Sequence, residues 1–162
     1  MSRQSLITSW DHVARPRSED RRNAILAATV EVIAEQGLGA PTAAIAKRAG
    51  VPHGSVFTYF ETKTELLNVL YLELTRALTD TVLAVMPAED DTRAQFHHLW
   101  VSWTSWGVSH PSKRRVQAQL NVSDQVSELN RNAAYDESND ASHALCVGPV
   151  GRDACRHCAM IE

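Results

Sequence analysis

The amino-acid sequence predicts an all-α protein: a three-helix head, a long connecting helix and a shorter helical body. Apolar residues recur at i, i+3 and i+4 in segment after segment, the period of helices with one buried face. Glycine and proline fall between those segments, as at Gly37, Pro41, Gly50, Pro52, Pro87 and Pro111, where helices stop and restart. No apolar run approaches the roughly 18 residues of a membrane span.

The totals bound the rest. A chain of 162 residues is one domain, or a small domain with a modest companion, and an apolar share of 44% supports a core. The start, "MSRQSLITSWDHVARPR", lacks the apolar core of a secretory signal, so a cytoplasmic protein with no membrane role is expected. The net charge of -3 argues against an indiscriminate polyanion binder. It is also unevenly spread: residues 1–63 hold 8 Lys/Arg against 6 Asp/Glu, and residues 64–162 hold 8 against 13. A mildly basic head on an acidic body fits a nucleic-acid head with another task behind it.

In the head, "SEDRRNAILAATVEVIAEQGLG" places Ser18 as an N-cap and Glu19 and Asp20 in the first turn, where the helix dipole favours acids. Leu26, Val30 and Ile33 follow at helical spacing, flanked by Ile25, Thr29 and Val32, and Gly37 supplies the stop. A short second helix is expected from Pro41 to Ala49, followed by a tight turn at Gly50 with Val51 plugging the junction. A third helix runs from about Pro52 through "HGSVFTYF", with Ile45, Val51, Val56 and Phe60 facing inward. Helix, glycine turn, helix is the helix-turn-helix arrangement, whose second member enters the DNA major groove. His53, Gly54, Ser55, Phe57, Thr58 and Tyr59 stand on its outer side: short polar groups and aromatics suited to base edges, thymine methyls and phosphates.

The long helix opens with a capping box, Thr62 and Glu65. Leu66, Leu67, Leu70, Leu74, Leu78 and Val82 continue its stripe toward Pro87, a predicted length of roughly 37 Å. Lys63 lies in its first turn, free to meet a phosphate.

From about Arg21 to Leu70 the chain carries "IAKRAGV", "GSVFTYF" and "TKTELL" in the order and spacing of the tetracycline-repressor (TetR) family of bacterial transcription regulators, which it resembles. The resemblance implies an N-terminal helix-turn-helix domain joined by a long helix to a helical effector and dimerisation domain, here truncated. It implies base-facing positions at His53, Gly54, Ser55, Phe57 and Thr58, and phosphate positions at Tyr59 and Lys63, with Thr42 and Lys47 as further phosphate candidates on the second helix. It further implies a homodimer on a palindromic operator in double-stranded DNA, with reading helices about 34 Å apart, and release by an unknown small-molecule effector. Three departures stand out: Pro52 in place of a Ser/Thr cap, Phe57 in place of a tyrosine, and Ala40-Pro41 in place of a polar helix start. Pro52 leaves the first N–H groups of the reading helix free for a phosphate.

In the body, "TRAQFHHLWVSWTSWGVSHP" reads as a helix capped by Asp91, with Phe96, Trp100, Trp103 and Trp106 on one face. That face either packs on the long helix or walls an effector pocket for a flat apolar or cationic molecule. A helix resumes at Pro111, where Lys113, Arg114 and Arg115 form a solvated face, and "SDQVSELNRNAAY" adds one more with Val126 and Leu129 inward. The expected organisation is a flexible arm over 1–17, the DNA-binding domain over 18–63, a partial ligand-binding and dimerisation domain over 64–135, and an irregular tail over 136–162.

In that tail His143, Cys146, Cys155 and Cys158 have the spacing of a tetrahedral zinc site, but no apolar residues support one. A tail without a metal is the better account. Its composition is what a reading-frame change near Asn139 would produce, and Gly148, Pro149 and Gly151 would break the helices a dimer interface needs. No nucleophile-base order or carboxylate pair indicates an enzyme, and no cofactor is expected. The alternative to a DNA-binding regulator is a non-DNA-binding interaction fragment that pairs with a longer relative or is inactive.

Overall fold

The computed structural model describes residues 11–84, 87 and 91–136. Among them every regular element is a helix: α1 Asp11–Gln36, α2 Thr42–Ala49, α3 His53–Tyr59, α4 Lys63–Leu83, α5 Thr92–Ser109, α6 Pro111–Asn121, and α7 over 128–136. They divide into two compact units after Leu66.

The first unit is the three-helix head with the opening turn of α4. Its core is Ile25, Val32 and Ile33 of α1, Ile45 of α2, Val56 of α3 and Phe60, all at most 2% exposed. Burial of such side chains contributes roughly 1.5–3 kcal/mol each. Thr29, equally buried, turns its hydroxyl back to donate to the Ile25 carbonyl at 2.7 Å, so its polar atom costs nothing unsatisfied. Gly37 (φ 79°) ends α1 and bonds its N–H to the Ile33 carbonyl at 2.8 Å. Gly50 (φ 67°) ends α2, and a side chain would be strained at either place.

Several boundaries differ from the sequence reading. The helix α1 is already formed at Asp11, so residues 11–17, expected as part of a flexible arm, are helical, and Ser18 lies inside α1. Serine caps only where the chain before it leaves the helix, and here it does not. Pro41 and Pro52 sit at the N-cap positions of α2 and α3 (ψ 144° and 142°), so each helix starts one residue later than predicted, at Thr42 and His53. The unit boundary falls past Lys63 because the first turn of α4 is bonded to the head.

In the second unit α4 stops at Leu83, giving about 32 Å at 1.5 Å per residue. Leu67, Leu70, Tyr71 and Leu74 are buried, whereas Leu78 and Val82 are only half-buried. Asp91 caps α5 by accepting from the Ala94 N–H at 2.9 Å, and Pro111 opens α6. Buried Asn68 of α4 interrupts the apolar stripe for a reason. Its Nδ2 donates to the Gln125 carbonyl (2.8 Å), and its Oδ1 accepts from the Ser127 N–H (2.9 Å) and Asn130 Nδ2 (2.7 Å). The Arg131 guanidinium closes the end of α6 by donating to the Asn121 and Ser123 carbonyls. Val126 is buried as expected, but Leu129 is 78% exposed, because α7 starts only at residue 128 and turns Leu129 outward.

Candidate nucleic-acid interface

Each residue advances about 100° around a helix, so burying Val56 on α3, with Phe60 just beyond its end, leaves His53, Gly54, Phe57 and Thr58 together on the opposite side. All four are exposed, with Ser55 and Tyr59 half-buried at the flanks. The structure thus brings together the six residues expected on the reading face. Two contacts fix part of it. Thr42 Oγ1 at the start of α2 lies 3.0 Å from His53 Nε2, and the His53 and Phe57 rings meet edge to face at 5.5 Å between centroids. Gly54 contributes an absence: a Cβ added there would meet nothing within 4 Å, so its bare backbone faces open space. The Ser55 N–H is not free, being bonded to the Pro52 carbonyl at 2.9 Å.

Lys47 is exposed on α2. Lys63, by contrast, is not the free phosphate cation expected. Its Nζ is half-buried and donates to the carbonyls of Leu38 (2.7 Å) and Ala40 (2.6 Å), fastening the α1–α2 loop to the start of α4. Those carbonyls lie between helices and have no ladder to join, so a buttoning ammonium satisfies them. The predicted capping box is present, with Thr62 Oγ1 accepting from the Glu65 N–H (3.0 Å). Glu65 reaches one residue further back than expected, to the Glu61 N–H (2.6 Å). On the head's far side Arg48 of α2 donates to Glu31 (2.9 Å) and bidentately to Glu35 (2.8 and 3.1 Å) of α1. Hydrogen bonds from Arg48 hold the Glu35 carboxyl below the usual carboxylate range.

The aromatic face of α5 splits in two. Phe96, Trp100 and Trp103, at i, i+4 and i+7, are 70%, 59% and 55% exposed, and the two tryptophan rings touch each other at 6.2 Å. Trp106, turned well away around the helix, is buried and stacks on His110 at 5.3 Å. The inward side is Leu99, Ser102 and Trp106. A cavity of about 660 Å³ opens between α4, α5 and α6, lined by Leu78, Trp103, Trp106, Gly107, Arg114, Gln117 and neighbours. Two of the four expected wall residues, Trp103 and Trp106, line it; Phe96 and Trp100 do not, because they point outward. Among the described residues no cluster of three metal-ligating side chains occurs, and His143, Cys146, Cys155 and Cys158 lie outside them. No described helix is long and apolar enough to cross a membrane.

Residues 25–70, which contain all of α2 and α3, match the family described as bacterial regulatory proteins, tetR family. The HTH-type transcriptional regulator BetI of Escherichia coli (strain K12) is 27% identical over 150 residues, covering 78% of this chain and 77% of BetI. A solved structure from Shewanella sp. PV-4 assigned to the tetR family superposes with a TM-score of 0.71 at 27% identity, over 78% of this chain and 68% of its own. A TetR family transcription regulator from Marinobacter aquaeolei VT8 gives a TM-score of 0.74 at 23% identity, over 81% and 69%, a likeness of fold. The head thus matches the tetR family model, and the chain is similar to tetR-family regulators over most of its length.

These likenesses support a DNA-binding transcriptional regulator, and the fold is all-α, with a helix-turn-helix domain followed by a helical C-terminal domain. The matched stretch of the head includes every residue of the exposed α3 face. Sequence reasoning misses two features and gives only part of a third. Arg48 was unassigned, although Glu31 and Glu35 stand one turn apart on α1. The leucine spacing of α4 gives Asn68 no role, although a polar residue inside a leucine stripe is itself a signal. Arg114 is exposed, as the solvated face expects, and it also lines the cavity.

Proposed function

We propose that this protein is a repressor that binds a palindromic operator as a homodimer and leaves it when a small molecule occupies the α4–α5–α6 cavity. The observation that carries the DNA half is the exposed α3 face: four adjacent positions, His53, Gly54, Phe57 and Thr58, turned outward and free of packing duties. His53, Gly54, Ser55, Phe57 and Thr58 read base edges; Tyr59, Lys47 and Thr42 meet phosphates. Lys63 serves mainly to hold the loop from which α2 springs, and so the aim of Thr42 and α3. The effector half is supported by a cavity volume within the 300–1,000 Å³ usual for small ligands and by the wall of Trp103 and Trp106. A body that shifts on binding would change the spacing of two reading helices that must match half-sites about one DNA turn apart.

Selection of binding sites from a pool of random duplexes tests the reading. It predicts enrichment of one inverted repeat, with half-sites about 10 base pairs apart or slightly more. Enrichment of no sequence, or of a single unrepeated half-site, contradicts it.

A second reading rests on Phe96, Trp100, Val101, Trp103 and Val108 of α5, all 43–82% exposed. Apolar area of this kind promotes association, and on this reading the chain pairs through its body with a longer relative and does not occupy DNA. Light scattering at micromolar concentration separates the two. A defined dimer that binds the selected repeat supports the repressor; polydisperse association that falls away in a Trp100→Ser, Trp103→Ser double variant supports the fragment.

A further inference from the structure

The cavity of the second unit has a chemistry that its aromatic wall alone does not reveal. Of the eleven residues that line it, Leu78, Val108, Pro111 and Ala118 are apolar, Trp103 and Trp106 supply flat surface, and Gln117 and Asn121 supply amides. Thr104 has its hydroxyl committed to the Trp100 carbonyl at 2.8 Å. None is acidic. The one formal charge is the guanidinium of Arg114, which has no ion-pair partner among the described residues.

The placement of Arg114 follows from Gly107. A Cβ on Gly107 would stand 3.0 Å from Arg114 Cδ, so the arginine stem lies directly on the α5 backbone, at a distance that only glycine permits without displacement. The stem is thereby held against the wall containing Trp106, and less side-chain entropy remains to be lost when its head group is engaged. The local field has the same sign. Arg114 lies in the first turns of α6 beside Lys113 and Arg115, that first turn contains no acid, and the helix N-terminus adds partial positive charge. Arg114 is exposed, so water screens its charge, and its selectivity comes from geometry: a guanidinium fork suits a carboxylate.

We infer that the cavity binds an organic anion: a flat apolar body that lies against Trp103 and Trp106, with a carboxylate or comparable acid held by Arg114. This rests on the proposed effector cavity for its consequence on DNA, and it replaces the sequence expectation of an apolar or cationic ligand with one sign of charge. The side-chain NH2 groups of Gln117 and Asn121 donate to the acid's second oxygen.

Calorimetric titration of the full chain with naphthalene-2-carboxylate, 2-naphthamide and 2-naphthylmethylammonium tests the inference, since the three share a body and differ in charge. The carboxylate binds at least tenfold more tightly than the amide, and the ammonium more weakly than the amide. Arg114→Gln reduces the carboxylate to the level of the amide and leaves the amide unchanged, whereas Arg115→Gln alters the carboxylate less than twofold. Equal affinities, a preference for the ammonium, binding of none of the three below millimolar concentration, or equal losses in the two arginine variants each overturn the inference. Anisotropy of a labelled duplex carrying the selected repeat, read in parallel, separates it from the effector reading. Arg114-dependent binding without release of DNA sustains the anion site and removes its regulatory role. Release by the ammonium does the reverse.

Discussion

The helices α3 and α5 both turn aromatic side chains to solvent, but they do so under different constraints. On α3, seven residues long, the exposed ring of Phe57 is met by His53, and His53 by Thr42 of the neighbouring helix, while Val56 behind them is buried. On α5, 18 residues long, Phe96, Trp100 and Trp103 form an outward row in which the ring contact is Trp100 with Trp103, residues of the same helix. An exposed aromatic whose ring partner is itself tied to another helix has one geometry to offer a partner. A row without such ties offers apolar area, which favours association without dictating its register. Hence the short helix is the element suited to reading a sequence, and the long one contributes to recognition where buried Trp106 and Trp103, at the end of the outward row, reach the cavity.

The difference is broken most severely from within the head. Phe60→Ala removes a ring that is 2% exposed in the core and is expected to destabilise the first unit by about 3–5 kcal/mol, abolishing DNA binding. Phe96→Ala on the outward row of α5 should change stability by less than about 0.5 kcal/mol. Urea titrations of both variants check the pair, and comparable losses would mean that the α5 row is covered in solution.

Lys63→Met deletes the ammonium that fastens the Leu38 and Ala40 carbonyls and leaves both without a partner. A cost of about 1–3 kcal/mol in head stability is expected. DNA affinity should fall with it, but the slope of affinity against salt should remain, since a positioning residue releases no counterion. A slope shallower by about one unit would restore Lys63 as a phosphate contact.

At His53, removal of the imidazole takes away a group held within 3.0 Å of Thr42 Oγ1. His53→Ala is expected to relax base preference at one position of each half-site by about 1–3 kcal/mol, whereas Lys47→Ala should weaken all duplexes alike. Repeating the site selection with each variant measures this directly.

The smallest effect concerns acid. Because Arg48 lowers the Glu35 carboxyl in the folded head, this interaction stabilises the head above the ordinary carboxylate range and is lost as pH falls through the depressed value. Both groups lie at the surface, so the effect is modest and screened by salt. Glu35→Gln should flatten the acid limb of the head's stability profile and leave stability at neutral pH nearly unchanged.

Much of the head was legible in the sequence because its signals are local. The stripe of Leu26, Val30 and Ile33 with Ile25, Thr29 and Val32 beside it, the stops at Gly37 and Gly50, and the alternation of Val56 with the exposed face of α3 each follow from spacing within a few residues. What could not be read there depends on partners far along the chain. Lys63 is expected at a phosphate and Arg48 is given no partner, yet the atoms that claim them lie 25 and up to 17 residues away. The same holds for Asn68, whose acceptors and donors are 57 to 62 residues distant. In the body, periodicity grouped Phe96 through Trp106 on one face, but ten residues of helix turn Trp106 off that row. A stripe long enough to cross two faces does not by itself say which one is buried.

The account stands or falls on the α3 face, and Gly54 isolates it. An added methyl group there meets nothing within 4 Å in the folded chain, and alanine is the better helix former by about 0.5–1 kcal/mol. Gly54→Ala should therefore leave the urea midpoint equal or higher. If DNA lies against this face, the methyl group occupies space the duplex needs, and affinity for the selected repeat should fall at least tenfold. Unchanged affinity alongside unchanged stability would show that DNA does not approach α3 at Gly54, and the proposed reading face would be wrong.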